Sequence, residues 1–326
     1  MKRVFASALL LTLVACGQPK VTADTPLRLG FFPNITHAQA LVGKTDGTFQ
    51  KATHGKVEMH AFNAGPAAME ALLGGSLDMA YVGGGPALTA YVRSGGKLHV
   101  LAGAASGGSL LVVKKEITST DQLDGKKLAT PQLGNTQDVA LRHFLRAHGM
   151  KDVALGEKGV QVLSMANADA FGQMKRGELD GAWVPEPWAS RMIHEAGAHV
   201  LIDERDLWPQ GTFPTTVLVA TDEVMRTRPQ LVQEILDAHR ELSERWRKDP
   251  AAFAEVANKS FGELTQHPLK PEVLKDAFSR LKPETDPMAE QLQTLAKSSH
   301  ELGYLPSEEV RGLVSAGSNP PEQRSE

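Results

Sequence analysis

Short apolar runs alternate with stretches of helical period along most of this chain, which is the pattern of an α/β protein. Leu27–Phe32 (LRLGFF) reads as a strand, Thr36–Gly43 as the start of a helix, and Lys56–Phe62 (KVEMHAF) as a second, alternating strand. Pro66–Leu73 reads as a helix stopped by Gly74-Gly75, Met79–Val82 as a strand, and Ala87–Val92 as a helix ending at Gly95-Gly96. Leu98–Ala102 and Ser109–Val113 are further strands, the second leading out of a first lobe. The pattern then begins again. Ser119–Lys126 is a short capped helix and turn, followed by strand Lys127–Thr130, helix Thr136–His148, strand Val160–Leu163 and helix Ala168–Arg176. Strand Ala182–Val184, helix Trp188–Ala196 and strand Val200–Ile202 complete the second round, and Phe213–Val219 reads as a return strand. From Asp222 onward the periodicity is almost all helical, with Asp249-Pro250 and Asp286-Pro287 each pairing an N-cap aspartate with proline at the first helical position.

The restart is visible in the letters themselves. Gly75–Pro86 (GSLDMAYVGGGP) and Gly177–Trp188 (GELDGAWVPEPW) share one twelve-residue pattern at an offset of 102 residues. Thr36–Leu41 and Thr136–Leu141 form a second pair at an offset of 100, each a hydroxyl residue opening an amphipathic helix. Either Gly-x-Leu-Asp copy alone is a common helix-to-strand turn; together the pairs predict two similar α/β lobes. Open α/β sheets bind ligands at the loops beyond their strand ends, so the functional question becomes what lies between the lobes.

Composition changes this picture little. The chain has 326 residues, is 41% hydrophobic and 22% charged, and has a net charge of −3. No basic patch with interleaved aromatics is present, so nucleic acid is not an expected partner. No Gly-x-Ser-x-Gly elbow, HExxH or P-loop occurs, and the eleven histidines show no metal-ligand spacing, so no catalysis, metal or cofactor is expected.

The N-terminus says more. Lys2-Arg3 precedes an almost unbroken apolar run from Val4 to Val14, too short for a bilayer core of about 30 Å and typical of a secretory signal. Leu13-Val14-Ala15-Cys16 ends it and resembles the lipobox of bacterial lipoproteins, which implies lipidation of Cys16, the sole cysteine. Residues 1–16 are thus expected to be a lipoprotein signal, 17–25 a flexible tether, and 317–326 a disordered tail.

Candidate binding residues follow from physical chemistry. A helix N-terminus presents unpaired N–H groups and about half a positive charge, so several converging on a cleft bind an anion without lysine or arginine. Three helix starts qualify: Asn34–His37, Gly83–Pro86 and Gly134–Gln137. Asn34, Thr36, His37, Gly84, Gly85, Pro86, Asn135, Thr136 and Gln137 are therefore expected to bind ligand. Thr36 and Thr136 also serve as plain N-caps, and His37 is the sole possible cation. The run Gly83-Gly84-Gly85 exceeds what a turn requires and suggests close backbone approach. Trp183 and Trp188 are candidates for an aromatic wall, against a plain core role. Glu186, between two prolines, would receive a ligand donor or bond the opposite lobe on closure, and Gly107 sits near a crossover as hinge and contact. An uncharged ligand also fits this inventory.

In this order the segments Phe32–Ala38, Ala64-Gly65-Pro66, Gly75–Pro86, Asp121–Lys126 and Trp183–Trp188, behind a lipobox, resemble the solute-binding proteins of ABC importers, in the group taking up aliphatic sulfonates, taurine and nitrate. The resemblance covers essentially the whole mature chain. It implies the two-lobe periplasmic-binding-protein (type II) fold with two crossovers: residues 26–113 and 216–316 as lobe one, 114–215 as lobe two. It also implies a small anion, first an aliphatic sulfonate, caught by lobe closure and delivered to a permease and its ATPase. The setting would be extracytoplasmic, with the N-terminal lipid as membrane contact. Taurine, nitrate, a thiamine-precursor pyrimidine or another heterocycle remain open as ligands. A sensor role also remains open; the related thiamine-pyrimidine synthases carry a cysteine-rich segment that this chain lacks.

Overall fold

The computed structural model describes residues 25–154 and 157–314. The expected signal, Cys16, nearly all of the tether and the tail lie outside them. Among the described residues there are eleven strands: β1 Leu27–Phe31, β2 Val57–Ala61, β3 Met79–Val82, β4 Leu98–Gly107, β5 Ser109–Val113, β6 Lys127–Thr130, β7 Gln161–Ser164, β8 Gly181–Pro185, β9 His199–Asp203, β10 Pro214–Thr221 and β11 Leu281–Pro283. They form two sheets, ordered β11-β4-β10-β3-β1-β2 and β7-β6-β8-β5-β9.

The sequence repeat is a repeat of topology. In the first sheet β1 lies between β2 and β3, parallel to both, and β10 runs antiparallel between β3 and β4. In the second, β6 lies between β7 and β8, parallel to both, and β5 runs antiparallel between β8 and β9. The Leu-Asp turn does the same work in each copy. Asp78 accepts the backbone N–H of Arg28 at 2.7 Å while its own N–H donates to the Arg28 carbonyl. Asp180 and Lys127 repeat both bonds, the carboxylate contact being 3.0 Å. Each aspartate thereby registers the motif's strand against its parallel neighbour, with Leu77 and Leu179 buried beside it.

Helices cover both faces of both sheets, which is why β3, β5 and β8 are buried at every position. One face of the first sheet packs on helices Ala38–Asp46, Pro229–Lys248, Pro250–Thr265 and Pro271–Ser279 through Leu41, Ile235, Phe261 and Ala277. The other packs on Gly65–Leu73, Gly84–Arg93 and Ala289–Glu301 through Leu72, Leu88 and Leu292.

The chain changes sheets earlier than expected. Ser109–Val113, assigned above to lobe one, is a central strand of the second sheet, and the return strand, read above as Phe213–Val219, runs Pro214–Thr221, so Pro214 and Thr215 go with lobe one rather than lobe two. The physical reason is the pair Gly107-Gly108, both at positive φ. A Cβ on Gly107 would lie 2.3 Å from the Arg280 carbonyl oxygen, so the crossover is confined to these glycines. Three helix starts also differ. Asp249 caps its helix by accepting from Ala252 N–H at 3.0 Å, as expected, but Asp286 instead accepts from Met288 N–H and its helix begins at Ala289. Thr36 and Thr136 are not the caps: Thr36 lies inside a 3-10 turn, Ile35–His37, that begins after Asn34, the α-helix Ala38–Asp46 starts after His37, and Asn135 caps the helix Thr136–Ala147.

Candidate functional site

The loops beyond β1, β2, β3, β6, β7 and β8 face one another across a cleft of about 320 Å³. Its lining comprises Phe32, Asn34, Thr36, His37, Asn63, Ala64 and Gly83 from the first-sheet side before the crossover, and Thr215 after it. From the second-sheet side come Pro131, Gln132, Asn135, Thr136, Gln137, Ser164, Met165, Ala166, Asn167 and Pro185. All three expected helix starts therefore reach the cleft, bringing Asn34, Thr36, His37, Asn135, Thr136 and Gln137 to its wall. Strand order gives the cleft a direction. Its inner end lies beside β3 and β8, and its outer end lies beyond the edge strands β2 and β7, where Asn63 and Ser164–Asn167 sit.

No lining residue is Arg, Lys, Asp or Glu. His37 does not supply the missing charge. It is 2% exposed, and burial lowers its pKa to about 3, so the imidazole is neutral at physiological pH. Its Nδ1 accepts the Phe32 N–H at 3.3 Å, which leaves the proton on Nε2. Asn34 Oδ1 accepts the Trp188 indole N–H at 3.0 Å, leaving the amide NH₂ free. Asn135 Oδ1 accepts Thr136 N–H at 2.8 Å, with the same result. Thr136 Oγ1 accepts Gly85 N–H at 3.1 Å, and its own O–H remains to donate. Four residues at the inner end thus have their acceptors occupied within the protein and their donors unspent. Helix N-termini add further N–H groups. The outer end is polar in both senses, with the side chains of Asn63, Gln132, Ser164 and Asn167 beside the apolar Ala64, Met165 and Ala166.

Seven expected ligand residues are not among the residues lining the cleft. Gly84 packs inside its own lobe, where a Cβ would meet Pro214 and Leu295 at 3.0 Å, and Pro86 packs against Gly65. Gly85 does make a close backbone approach, but to Thr136 and Asn135 of the facing loop; an added Cβ would lie 3.0 Å from Thr136 N. None of Gly83, Gly84 and Gly85 has positive φ, so room rather than conformation requires them. Gly107 is crossover only. Trp183 is fully buried behind the cleft; its indole donates to Glu204 Oε2 at 2.8 Å and Ser109 Oγ at 3.1 Å, and its ring packs on Phe144. Successive strand residues face opposite sides of a sheet, so Trp183 and Val184 enter separate cores, and Pro185 at the strand end lines the cleft instead. Trp188 reaches the site through Asn34 alone.

Glu186 faces the other lobe. Its fully buried carboxyl accepts from Ser190 N–H and O–H and from Arg280 Nη1 at 3.0 Å, Arg280 lying just before β11. Burial raises its pKa to about 7 against these stabilising bonds. Sequence reading missed Phe32, Asn63, Ala64, Pro131, Gln132, Ser164–Asn167, Pro185 and Thr215. Their signal was position: nearly all directly follow a strand's carboxyl end.

Among the described residues no cluster of His, Cys, Asp and Glu is placed to hold a metal, and no helix is long and apolar enough to cross a membrane. By sequence, a binding protein of Brucella abortus (strain 2308) is 26% identical over 263 residues, 79% of either chain. The taurine-binding periplasmic protein of Escherichia coli (strain K12) is 24% identical over 229 residues, 68% of this chain and 69% of its own. By structure, the alkanesulfonate-binding protein of Xanthomonas axonopodis pv. citri, bound to MOPS, superposes with a TM-score of 0.72 at 20% identity over 89% of this chain and 97% of its own. The periplasmic nitrate-binding protein of Synechocystis PCC 6803 superposes at 0.73 with 17% identity, over 87% and 83%. These superpositions establish the two-lobed α/β binding-protein fold. The NMT1-like family profile matches residues 21–259, most of the chain, and the protein belongs to that family.

Proposed function

We propose that this protein is the extracytoplasmic solute-binding component of an ABC importer and that it captures a small anion, foremost a short sulfonate, between its lobes. The observation that carries the ligand class is the spent acceptors of Asn34, His37, Asn135 and Thr136. Four residues that present donors with their acceptors already engaged favour a head group that only accepts, and a sulfonate has three such oxygens. Charge is met by helix N-termini and amides, without a cation. The names of the relatives, binding proteins for taurine, alkanesulfonates and nitrate, support an acceptor-rich anion and import through a permease and its ATPase. They equally support an extracytoplasmic location, and the Leu13–Cys16 lipobox supports anchoring by a lipid on Cys16. The polar outer end and modest volume favour a short tail over a long alkyl chain. The six amide side chains in a cleft without charged residues favour, as a second reading, an uncharged heterocycle such as a thiamine-precursor pyrimidine.

The test is thermal unfolding of the soluble form from Gly17 onward with ethanesulfonate, taurine, nitrate, the thiamine pyrimidine and riboflavin. Ligand at a hundred times its dissociation constant stabilises by about 2.7 kcal/mol, a visible shift. A shift with anions is expected; one with an uncharged heterocycle alone would overturn the anion reading and keep the transport role.

A further inference from the structure

The four spent acceptors at the inner end are not held in the same way. His37 Nδ1 and Asn135 Oδ1 are occupied from within their own loops, by Phe32 and Thr136 N–H. The other two are occupied from across the cleft. Asn34, after β1, receives the indole N–H of Trp188, after β8, and Thr136, after β6, receives the N–H of Gly85, after β3. Half of the donor bias thus belongs to the separate lobes, and half exists only while the lobes meet.

The indole contact carries the chemistry. An indole N–H donates and cannot accept, so only the carbonyl oxygen of the Asn34 amide can face it. That contact holds the amide's last torsion and commits its NH₂ to other partners. A carboxamide without such a neighbour turns either face to a ligand and reads donors and acceptors alike. We infer that lobe closure itself makes the cleft selective for acceptor-only head groups, with Trp188 as a positioning residue that acts through Asn34 and the Gly85–Thr136 bond as its second contact. This inference rests on the anion reading above and deepens it. A ligand whose head bears an N–H meets the parted lobes, then loses the Asn34 carbonyl as they close. An anion gains donors in the same movement and draws the equilibrium toward the closed state.

Ethanesulfonate and ethanesulfonamide, alike in shape and differing in charge and N–H groups, are the probes, titrated calorimetrically into the protein from Gly17 onward. Trp188→Phe keeps a ring beside Phe171 and Arg191 and removes the N–H. It should weaken ethanesulfonate about tenfold and narrow the preference over the sulfonamide. In an Asn34→Ala background the same change should cost nothing further, since a contact acting through Asn34 shows full coupling in a double-mutant cycle. Additive losses, or equal losses for both probes, would overturn the inference while wild-type sulfonate binding left the function reading standing. Wild-type protein that binds no anion would overturn both. Asn34→Asp, which retains an acceptor for Trp188 but turns an oxygen to the ligand, should abolish sulfonate binding; unchanged affinity in that variant would also overturn it.

Discussion

Gly85→Ala should strengthen a helix and weaken binding at once. Gly85 is the second residue of the helix Gly84–Arg93 and has no positive φ, so alanine suits its backbone and adds up to about 1 kcal/mol of helix stability. The new methyl, however, would sit 3.0 Å from Thr136 N, 3.2 Å from Thr136 Cα and 3.4 Å from the Asn135 carbonyl carbon. Carbon needs about 3.5 Å or more from such atoms. All three are backbone atoms of the facing loop, so no side chain can swing aside and the lobes must part locally. Parting them lengthens the 3.1 Å bond from Gly85 N–H to Thr136 Oγ1 and loosens the neighbouring Trp188–Asn34 contact. Losing one such bond costs about 1 kcal/mol and disturbing two costs about tenfold or more in affinity. Calorimetric titration with ethanesulfonate, beside thermal unfolding without ligand, reads both effects. The expected result is an unchanged or slightly raised melting temperature and affinity lower by tenfold or more. Wild-type affinity, or a ligand-free melting temperature lower by several degrees, would refute the reasoning.

Other expected outcomes concern charge and the crossover. Because the folded state holds His37 neutral down to about pH 3, lowering the pH from 7 to 5 adds no cation to the cleft and should not tighten anion binding. Tightening over that range would contradict the neutral site. Burial, against bonds from Ser109 and Trp183, raises the Glu204 pKa from 4.5 to about 7, so the folded state keeps a proton that the unfolded chain releases. Stability from this group therefore falls as pH rises from 4.5 to about 7, by about 3 kcal/mol in all. Glu204→Gln keeps an oxygen for both donors, and denaturant titrations should show its stability gaining on wild type across that window; parallel pH curves would count against the buried carboxyl. Gly107→Ala combines a φ of +82° with a 2.3 Å clash on the Arg280 carbonyl and should cost about 2 kcal/mol or more, read by urea unfolding. A change under 0.5 kcal/mol would mean that the crossover tolerates other geometries.

Local chemistry was enough to determine the elements and their doubling. The Leu-Asp turns at Leu77-Asp78 and Leu179-Asp180, the glycine stops and the periodicities are written within a dozen residues, because a turn or a helix end is settled by near neighbours. The three helix starts at the cleft were legible for the same reason. What each side chain does there was not. Trp183 and Trp188 look alike in the motif, yet strand alternation buries the first against Phe144 and Glu204, while the second, past the strand at the start of a helix, bonds across the cleft to Asn34. Gly85 looks like a turn glycine, and only the arrival of Thr136, 51 residues away, makes its missing side chain necessary. Glu186 finds Arg280 at a separation of 94 residues, and the change of sheets at Gly107-Gly108 is set by the Arg280 carbonyl and the Leu281 side chain. Partners so far apart in the chain carry no periodic or local signature. Their meeting depends on how two finished lobes face each other, and tertiary packing alone decides that.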